Sequence, residues 1–264
     1  MQFWKMNGAG NDFIIINNLE SRLPPHCFPA LARRLCERHL SIGADGLMVV
    51  DTSEQGGDYR MRFYNSDGSL GEMCGNGARC ICRFAHDRGL VGDHMVFETL
   101  AGLVSGWRLD ENTYRVALNL PTVLEPNRIG DVSYVELGNP GIPHAVRPFS
   151  GDLFGEKDRL REEMRALRFD KAFPKGANVN YYRLTGPGQA DVLTFERGVE
   201  DFTLACGTGC GSTACVLWKQ GLLPENHLEA RVPGGKLGVT IVGENRVEQL
   251  LLEGPTEITE VLEK

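Results

Sequence analysis

Two cysteines carry the first chemical signal in this chain. Cys74 lies in "GEMCGNGARCICRFAHDRGL" (71–90) and Cys206 in "LACGTGCGSTACVLWKQGLL" (204–223), and each opens a glycine-rich turn ahead of a helix-like stretch. A Gly-Leu pair begins fifteen residues after each cysteine, and a phenylalanine, Phe63 or Phe195, stands eleven residues before it. A helix start presents unsatisfied backbone N–H groups and roughly half a positive charge, so it attracts anions. The same field favours thiolate over thiol and draws a cysteine below its free pKa of about 8.5. Glycine lets backbone come close to a ligand. Each helix start therefore offers a reactive sulfur and a cradle for a carboxylate. Two sulfurs brought to one carbon from opposite sides would supply a proton acceptor on one face and a donor on the other, which is what racemisation or epimerisation needs. The α-proton of an amino acid is only weakly acidic, so such a site must stabilise a carbanion, and a carboxylate held by two helix dipoles in a dry cleft would do so. No pyridoxal-type lysine motif is evident, which favours chemistry without a cofactor. The plainer alternative makes both cysteines buried caps whose glycines serve packing alone, and two such sites in register with the same flanks argue against it.

The elements that must position these cysteines repeat as well. The first half runs through a strand at "DFIIINN", a helix around "PALARRLCERHL" with Leu31, Leu35 and Leu40 near helical spacing, and strands at "GLMVVD" and "YRMRFYN". After the Cys74 helix, "MVFETLAGLVSGWRLDENTYRVALNLP" reads as short strands joined by turns at Ala-Gly and Asp-Glu-Asn. The second half follows the same order: a strand with an awkward turn in "YVELGNPGIPHAVR", a charged helix in "GDLFGEKDRLREEMRALRF", strands at "ANVNYYRL" and "DVLTFER", the Cys206 helix, then strands again. The pattern predicts an α/β (α+β) fold of two pseudo-symmetric domains, each a curved, mostly antiparallel sheet around a central helix. The expected division is 1–120 with a returning tail at 255–264, and 121–254.

Composition limits the partners. The 264 residues include 28 Lys and Arg against 35 Asp and Glu, a formal net charge of −7, with no basic run interleaved with aromatics. Nucleic acid is therefore not an expected partner. The start "MQFWKMNGAG" lacks a basic segment followed by a long apolar run, and no apolar stretch reaches the length of a membrane span, so the reading is a cytoplasmic protein without a membrane partner. Eight cysteines with no Cys-x-x-Cys pair point neither to a metal site nor to a disulfide framework. Cys27, Cys36, Cys80, Cys82 and Cys215 read as small buried hydrophobes.

At this point the chain resembles the diaminopimelate epimerases. The likeness rests on "KMNGAGNDF", "FYNSDGS", "MCGNGAR", "ANVNYY", "FERGVEDFTLACGTG" and "VPGG" in that order, spread over essentially the whole sequence. It implies two domains of curved sheet around a helix, and cofactor-free inversion of one centre of LL-2,6-diaminopimelate to the meso form, a step in lysine and peptidoglycan precursor synthesis. The family's catalytic pair matches Cys74 and Cys206, with Cys206 taking the proton from the LL substrate and Cys74 returning one. Asn11, Asn65 and Asn178 match substrate-contacting asparagines, although each alone also suits a turn. Gly75, Asn76, Gly207 and Thr208 would hold the reacting carboxylate through backbone N–H groups. Arg197 would bind a distal carboxylate, Glu196 the substrate ammonium while tuning a thiol, and His144 would tune a catalytic cysteine. A homodimer acting on a small amino acid, with no cofactor and no metal, completes the implication.

The match departs from the family pattern at two places. Many members carry Gly-Asn-Pro-His where this chain has "GNPGIPH", and repeat spacing puts Ile142 rather than Asn139 in the slot symmetric to Asn11. At Gly46 some members carry glutamine, and no role is assigned to it. Two other readings fit the residues: a related two-thiol racemase for an amino acid such as histidine or proline, and an amino-acid-binding protein without catalysis.

Overall fold

The computed structural model describes residues 1–71 and 73–263. The chain forms two compact units, Met1–Val116 with Glu253–Lys264, and Ala117–Leu252. The change of unit falls inside two strands, Thr113–Leu118 and Gln249–Pro255, a few residues before each bound of the expected division at 120/121 and 254/255.

In the first unit the strands are β1 (Gln2–Gly8), β2 (Asn11–Asn17), β3 (Gly46–Asp51), β4 (Tyr59–Asn65), β5 (Leu70–Gly71), β6 (His94–Thr99), β7 (Gly102–Arg108) and β8 (Thr113–Leu118), and the helices are α1 (Asn18–Ser21), α2 (Phe28–Cys36) and α3 (Gly75–Asp87). The second unit has β9 (Pro121–Ile129), β10 (Val132–Leu137), β11 (Ile142–Pro148), α4 (Lys157–Arg168), β12 (Asn178–Gly186), β13 (Gln189–Glu196), β14 (Asp201–Phe202), α5 (Gly207–Lys219), β15 (His227–Val232) and β16 (Gly235–Val242). Successive pairings match step for step. From β1 to β2, β3, β4, β6 and β7 they run antiparallel, parallel, antiparallel, parallel, antiparallel. From β10 to β11, β12, β13, β15 and β16 they run the same way. Each sheet is thus mixed, with antiparallel pairings in the majority.

The central helices are equal in length at 13 residues, and both are buried nearly all round, as befits helices enclosed by their sheets. Helix α5 touches β9, β10, β11, β12, β15 and β16. A flat sheet of seven strands would span about 29 Å at about 4.8 Å per strand, against a helix roughly 10–12 Å across. Contact with strands from one edge of the row to the other therefore requires the sheet to curve round the helix. Helix α3 does likewise against β1, β2, β3 and β7. A satellite core closes the outer face of each sheet: Phe28, Ala32 and Leu35 of α2 pack on Ile14, Ile16, Leu47 and Val49, and Leu160 and Met164 of α4 pack on Val179, Tyr181, Leu193 and Phe195.

Two sequence expectations need correction. Helix α2 ends at Cys36, so Leu40 is no part of its apolar face and is 89% exposed. The last-turn carbonyls of Leu35 and Cys36 are taken instead by the N–H groups of Gly43 and Ala44, with Gly43 at φ +74°. Cys27 is only half-buried, whereas Cys36, Cys80, Cys82 and Cys215 are buried as expected. Burial pushes the thiols of those four up to about 12, which makes them inert. Among the described residues no helix is long and apolar enough to cross a membrane.

Helix α3 lies so close to β1 that a Cβ at Gly8 would sit 2.8 Å from the Asn76 carbonyl oxygen and 3.0 Å from Cys80 Sγ. Gly8→Ala is expected to force the first turn of α3 outward and to destabilise the protein by about 1–3 kcal/mol, the usual range for overpacking a filled core. A urea unfolding midpoint no lower than that of the wild type would show that the turn yields freely.

Candidate active site

Both catalytic candidates occupy the same structural position. Cys74 is the N-cap of α3 (φ −129°, ψ 113°) and Cys206 the N-cap of α5 (φ −122°, ψ 105°), each in extended backbone directly before a helix that begins with glycine. The chain can turn this tightly because little stands in the way: a Cβ at Gly77 would run into the side chain of Met48, and one at Gly209 into Asn180 Oδ1.

In the second unit the cap is specific. Cys206 Sγ accepts from the Gly209 N–H at 3.3 Å and lies 3.5 Å from Thr208 Oγ1. By helix geometry the N–H groups of Gly207 and Thr208 have no carbonyl to meet within α5, and groups so placed can donate to an anion. The expectation that the helix start would make this cysteine acidic does not hold. Cys206 is 9% exposed, and burial first, then the Glu196 carboxylate, push its thiol far above the ordinary value, against the opposing effect of the Thr208 and Gly209 hydrogen bonds. Burial raises Glu196 as well. Sulfur and carboxylate together favour holding a proton.

His144 is fully buried in β11, and its pKa is lowered to about 3 by burial and then by the charge of Arg197. It is a neutral imidazole, 3.1 Å from Asn180 Nδ2 through Nδ1. Asn178 is committed on both sides, with Oδ1 accepting from the Arg197 N–H at 2.8 Å and Nδ2 donating to the Pro143 carbonyl at 3.3 Å. It therefore fixes the backbone from which Arg197 projects. The Arg197 side chain is exposed, with Nη1 donating to the Lys175 carbonyl at 3.0 Å, and Lys175 Nζ is in turn held by both oxygens of Glu136 at 2.9 and 3.0 Å. Asn139 is exposed in the turn after β10, while Ile142 opens β11 opposite Leu137.

In the first unit a polar relay underlies Cys74. Asn76 Nδ2 donates to Asn11 Oδ1 at 2.7 Å, Asn11 Nδ2 to Asp45 Oδ2 at 3.0 Å, and the buried Arg79 donates to Asn76 Oδ1 at 3.0 Å and to the Gly75 carbonyl at 3.2 Å. A carboxylate at one end and a guanidinium at the other leave each amide a single favourable orientation. Asn65 stands apart from this relay, its side chain donating to Ser69 Oγ at 2.9 Å within a turn. At Gly46 the reason for glycine is steric, since a Cβ would meet the Phe63 ring at 2.6 Å and the Tyr64 carbonyl at 2.7 Å.

The sequence reading missed Asp45, Arg79, Asn180 and Thr194. Period-two alternation could have found Asn180, which shares a strand face with Asn178, and Thr194 faces it directly across the β12–β13 ladder. Nothing local marks Asp45 or Arg79. Among the described residues no group of three or more His, Cys, Asp or Glu could hold a metal ion.

Two repeated units, each opening its central helix on a cysteine, define a duplicated α/β fold. Solved structures of this architecture include a Bacillus anthracis phenazine biosynthesis protein of the PhzF family (TM-score 0.72, 15% identity, 99% of this chain and 98% of that one). A hydroxyproline epimerase from Agrobacterium vitis is another (TM-score 0.70, 15% identity, 99% and 91%). In sequence the likeness is far stronger: a family model described as diaminopimelate epimerase matches residues 3–121 and 133–258. Proteins named diaminopimelate epimerase from Aquifex aeolicus (strain VF5) and Flavobacterium psychrophilum are 36% and 38% identical, covering 96% and 97% of this chain and 94% and 97% of their own. The chain belongs to the diaminopimelate epimerase family.

Because the Glu196 carboxylate raises the Cys206 thiol, its removal should lower that pKa and increase the thiolate fraction at any given pH. Peptide-resolved alkylation by iodoacetamide should therefore label Cys206 faster in Glu196→Gln than in the wild type. An equal or slower rate would show that Glu196 does not act on this sulfur.

Proposed function

We infer that the protein is an isomerase that interconverts LL-2,6-diaminopimelate and meso-diaminopimelate by a two-base mechanism with Cys206 and Cys74 as the proton-transferring groups. The observation that carries this reading is the placement of both cysteines at the same cap position of equal helices, in a chain of this family. The reaction uses one thiolate to take the α-proton and one thiol to protonate the carbanion from the other face, so the thiols must be in opposite states. Cys206 as found favours its proton, and Glu196, whose carboxylate biases the sulfur that way, is assigned to the substrate ammonium. The reacting carboxylate is assigned to the N–H groups of Gly75, Asn76, Gly207 and Thr208, whose fixed dipoles stabilise charge that develops on the substrate. Asn11, Asn65 and Asn178 join Arg197 in our assignment of the remaining substrate contacts. Nothing in this scheme calls for a cofactor. On family resemblance we also propose that the protein works as a homodimer in the cytoplasm.

Cys74→Ser and Cys206→Ser should each abolish turnover of LL-diaminopimelate while leaving the far-UV circular dichroism unchanged. Proton NMR of the substrate in D2O reads out both inversion and α-deuterium incorporation. Near-normal inversion by either variant would end the two-base scheme, and a wild-type enzyme that incorporates no deuterium would favour a binding protein.

The substrate assignment rests on Arg197. A second carboxylate that loses its paired cation on binding costs about 2–5 kcal/mol, so Arg197→Met should lower kcat/KM for diaminopimelate by at least about a hundredfold. Amino acids lacking a distal carboxylate should be equally poor substrates for both forms. Wild-type preference for proline or histidine would overturn the substrate while sparing the chemistry.

A further inference from the structure

The environment of His144 determines more than its charge. Its ring lies at the end of a chain of buried polar groups within the second unit: Thr194 Oγ1 donates to Asn180 Oδ1 at 2.9 Å, and Asn180 Nδ2 faces His144 Nδ1 at 3.1 Å. His144 and Asn180 are both 0% exposed, and Thr194 is 3% exposed. The orientation of the Asn180 amide is settled independently of the histidine. Its nitrogen also lies 3.2 Å from the Ala145 carbonyl and 3.2 Å from the Asn178 carbonyl, two groups that can only accept, while its oxygen receives the threonine hydroxyl. Turning the amide over would set its oxygen against two carbonyl oxygens. An amide nitrogen has no lone pair to offer, so Nδ1 of His144 must be the acceptor in this contact. A proton on Nδ1 would point at the N–H groups of Asn180, and both the Nδ1–H tautomer and the imidazolium require one there. The ring proton therefore resides on Nε2, a buried nitrogen with no hydrogen-bond partner among the described residues.

We propose that Asn180, clamped by Thr194, is a positioning residue that fixes His144 as a permanent Nε2–H donor, so that this histidine serves the reaction by giving a hydrogen bond and never by taking up a proton. This rests on the proposed function for its catalytic meaning, though its structural content stands without it. The group that receives the hydrogen bond is an anionic or strongly accepting atom that comes with the reaction, either a substrate carboxylate oxygen or a sulfur in its thiolate form. The same amide also connects His144 to the cysteine cap. Asn180 Oδ1 is the atom that a Cβ at Gly209 would strike, and the N–H of Gly209 donates to Cys206 Sγ. One side chain thus sets the tautomer of the histidine and the depth at which the first turn of α5 rests.

The test is nitrogen NMR of the full-length protein labelled with 15N at histidine, with His144 assigned by its loss in His144→Gln. At neutral pH the wild type should show a pyridine-type Nδ1 and a protonated Nε2. Asn180→Asp places a carboxylate opposite Nδ1, and the proton should move there, giving the Nδ1–H tautomer or the imidazolium. Its kcat for diaminopimelate should fall at least about tenfold, with a smaller change in KM, since a wrongly held imidazole tautomer can cost an enzyme orders of magnitude more. Thr194→Ser should keep the wild-type spectrum, because it retains the hydroxyl that holds the amide. A wild-type His144 protonated on Nδ1 overturns the proposal, even if Asn180→Asp fails to fold, and so does an Asn180→Asp protein whose His144 nitrogens are unchanged. A wild type with the expected spectrum that does not exchange the α-proton of diaminopimelate would uphold the role of Asn180 in setting the tautomer and refute the functional reading instead.

Discussion

The rest of the structure depends on how closely the first turn of each cysteine helix approaches the strands beneath it. In the first unit Gly8 and Gly77 keep clear the space occupied by the Asn76 carbonyl and the Met48 side chain, and in the second Gly209 rests on the amide of Asn180. A helix enclosed by a curved sheet has few ways to shift, and at native packing density a single methyl group is felt. The glycines thus have a packing reason that is independent of any ligand. Their chemical effect follows from it: the helix starts at one defined residue, its first N–H groups point in one direction, and the cysteine before it sits at the focus of those dipoles.

The repeated backbone carries unequal polar support. Under Cys74 the amides of Asn11 and Asn76 run between a carboxylate, Asp45, and a guanidinium, Arg79. Around Cys206 the supporting groups are the neutral His144, Asn180 and Thr194, together with the half-buried carboxylate of Glu196. A two-base reaction needs thiols in opposite protonation states, and identical surroundings would give them identical proton affinities. The charged relay under one cap, and the half-buried carboxylate that biases the other sulfur toward the thiol, break that equivalence without altering the fold.

Much of this was legible in the sequence because it is encoded by local spacing. The duplicated Cys-Gly-x-Gly turns placed a helix start beside each cysteine, and the alternation of Tyr59, Met61 and Phe63 with Arg60 and Arg62 gave the buried face of β4. What was not legible depends on contacts made at long range. Leu40 fits a helical stripe, yet the helix stops early because Gly43 and Ala44 take its last carbonyls. A cysteine at a helix start reads as acidic until its burial is known, and at Cys206 desolvation outweighs the dipole. Asp45 joins Asn11 across 34 residues and Asn76 joins it across 65, distances over which no periodicity reports.

The registers of the two sheets show where the repeats parted chemically. In the first unit the parallel pair β2–β3 sets Phe13 beside Gly46, and in the second the parallel pair β11–β12 sets His144 beside Asn178. Phe13 therefore holds the place of the histidine and Gly46 that of the asparagine. The consequences are carried by the neighbouring ring, because Phe63 lies edge-on to Phe13 at 6.2 Å and fills the space that any side chain at position 46 would need. A polar residue at 46 would have to displace that ring. In the second unit the same backbone positions open onto Asn180 and the Arg197 backbone, where an imidazole and an amide both find partners. One pair of registers thus gives the first unit an aromatic contact where the second holds a neutral histidine beside an amide.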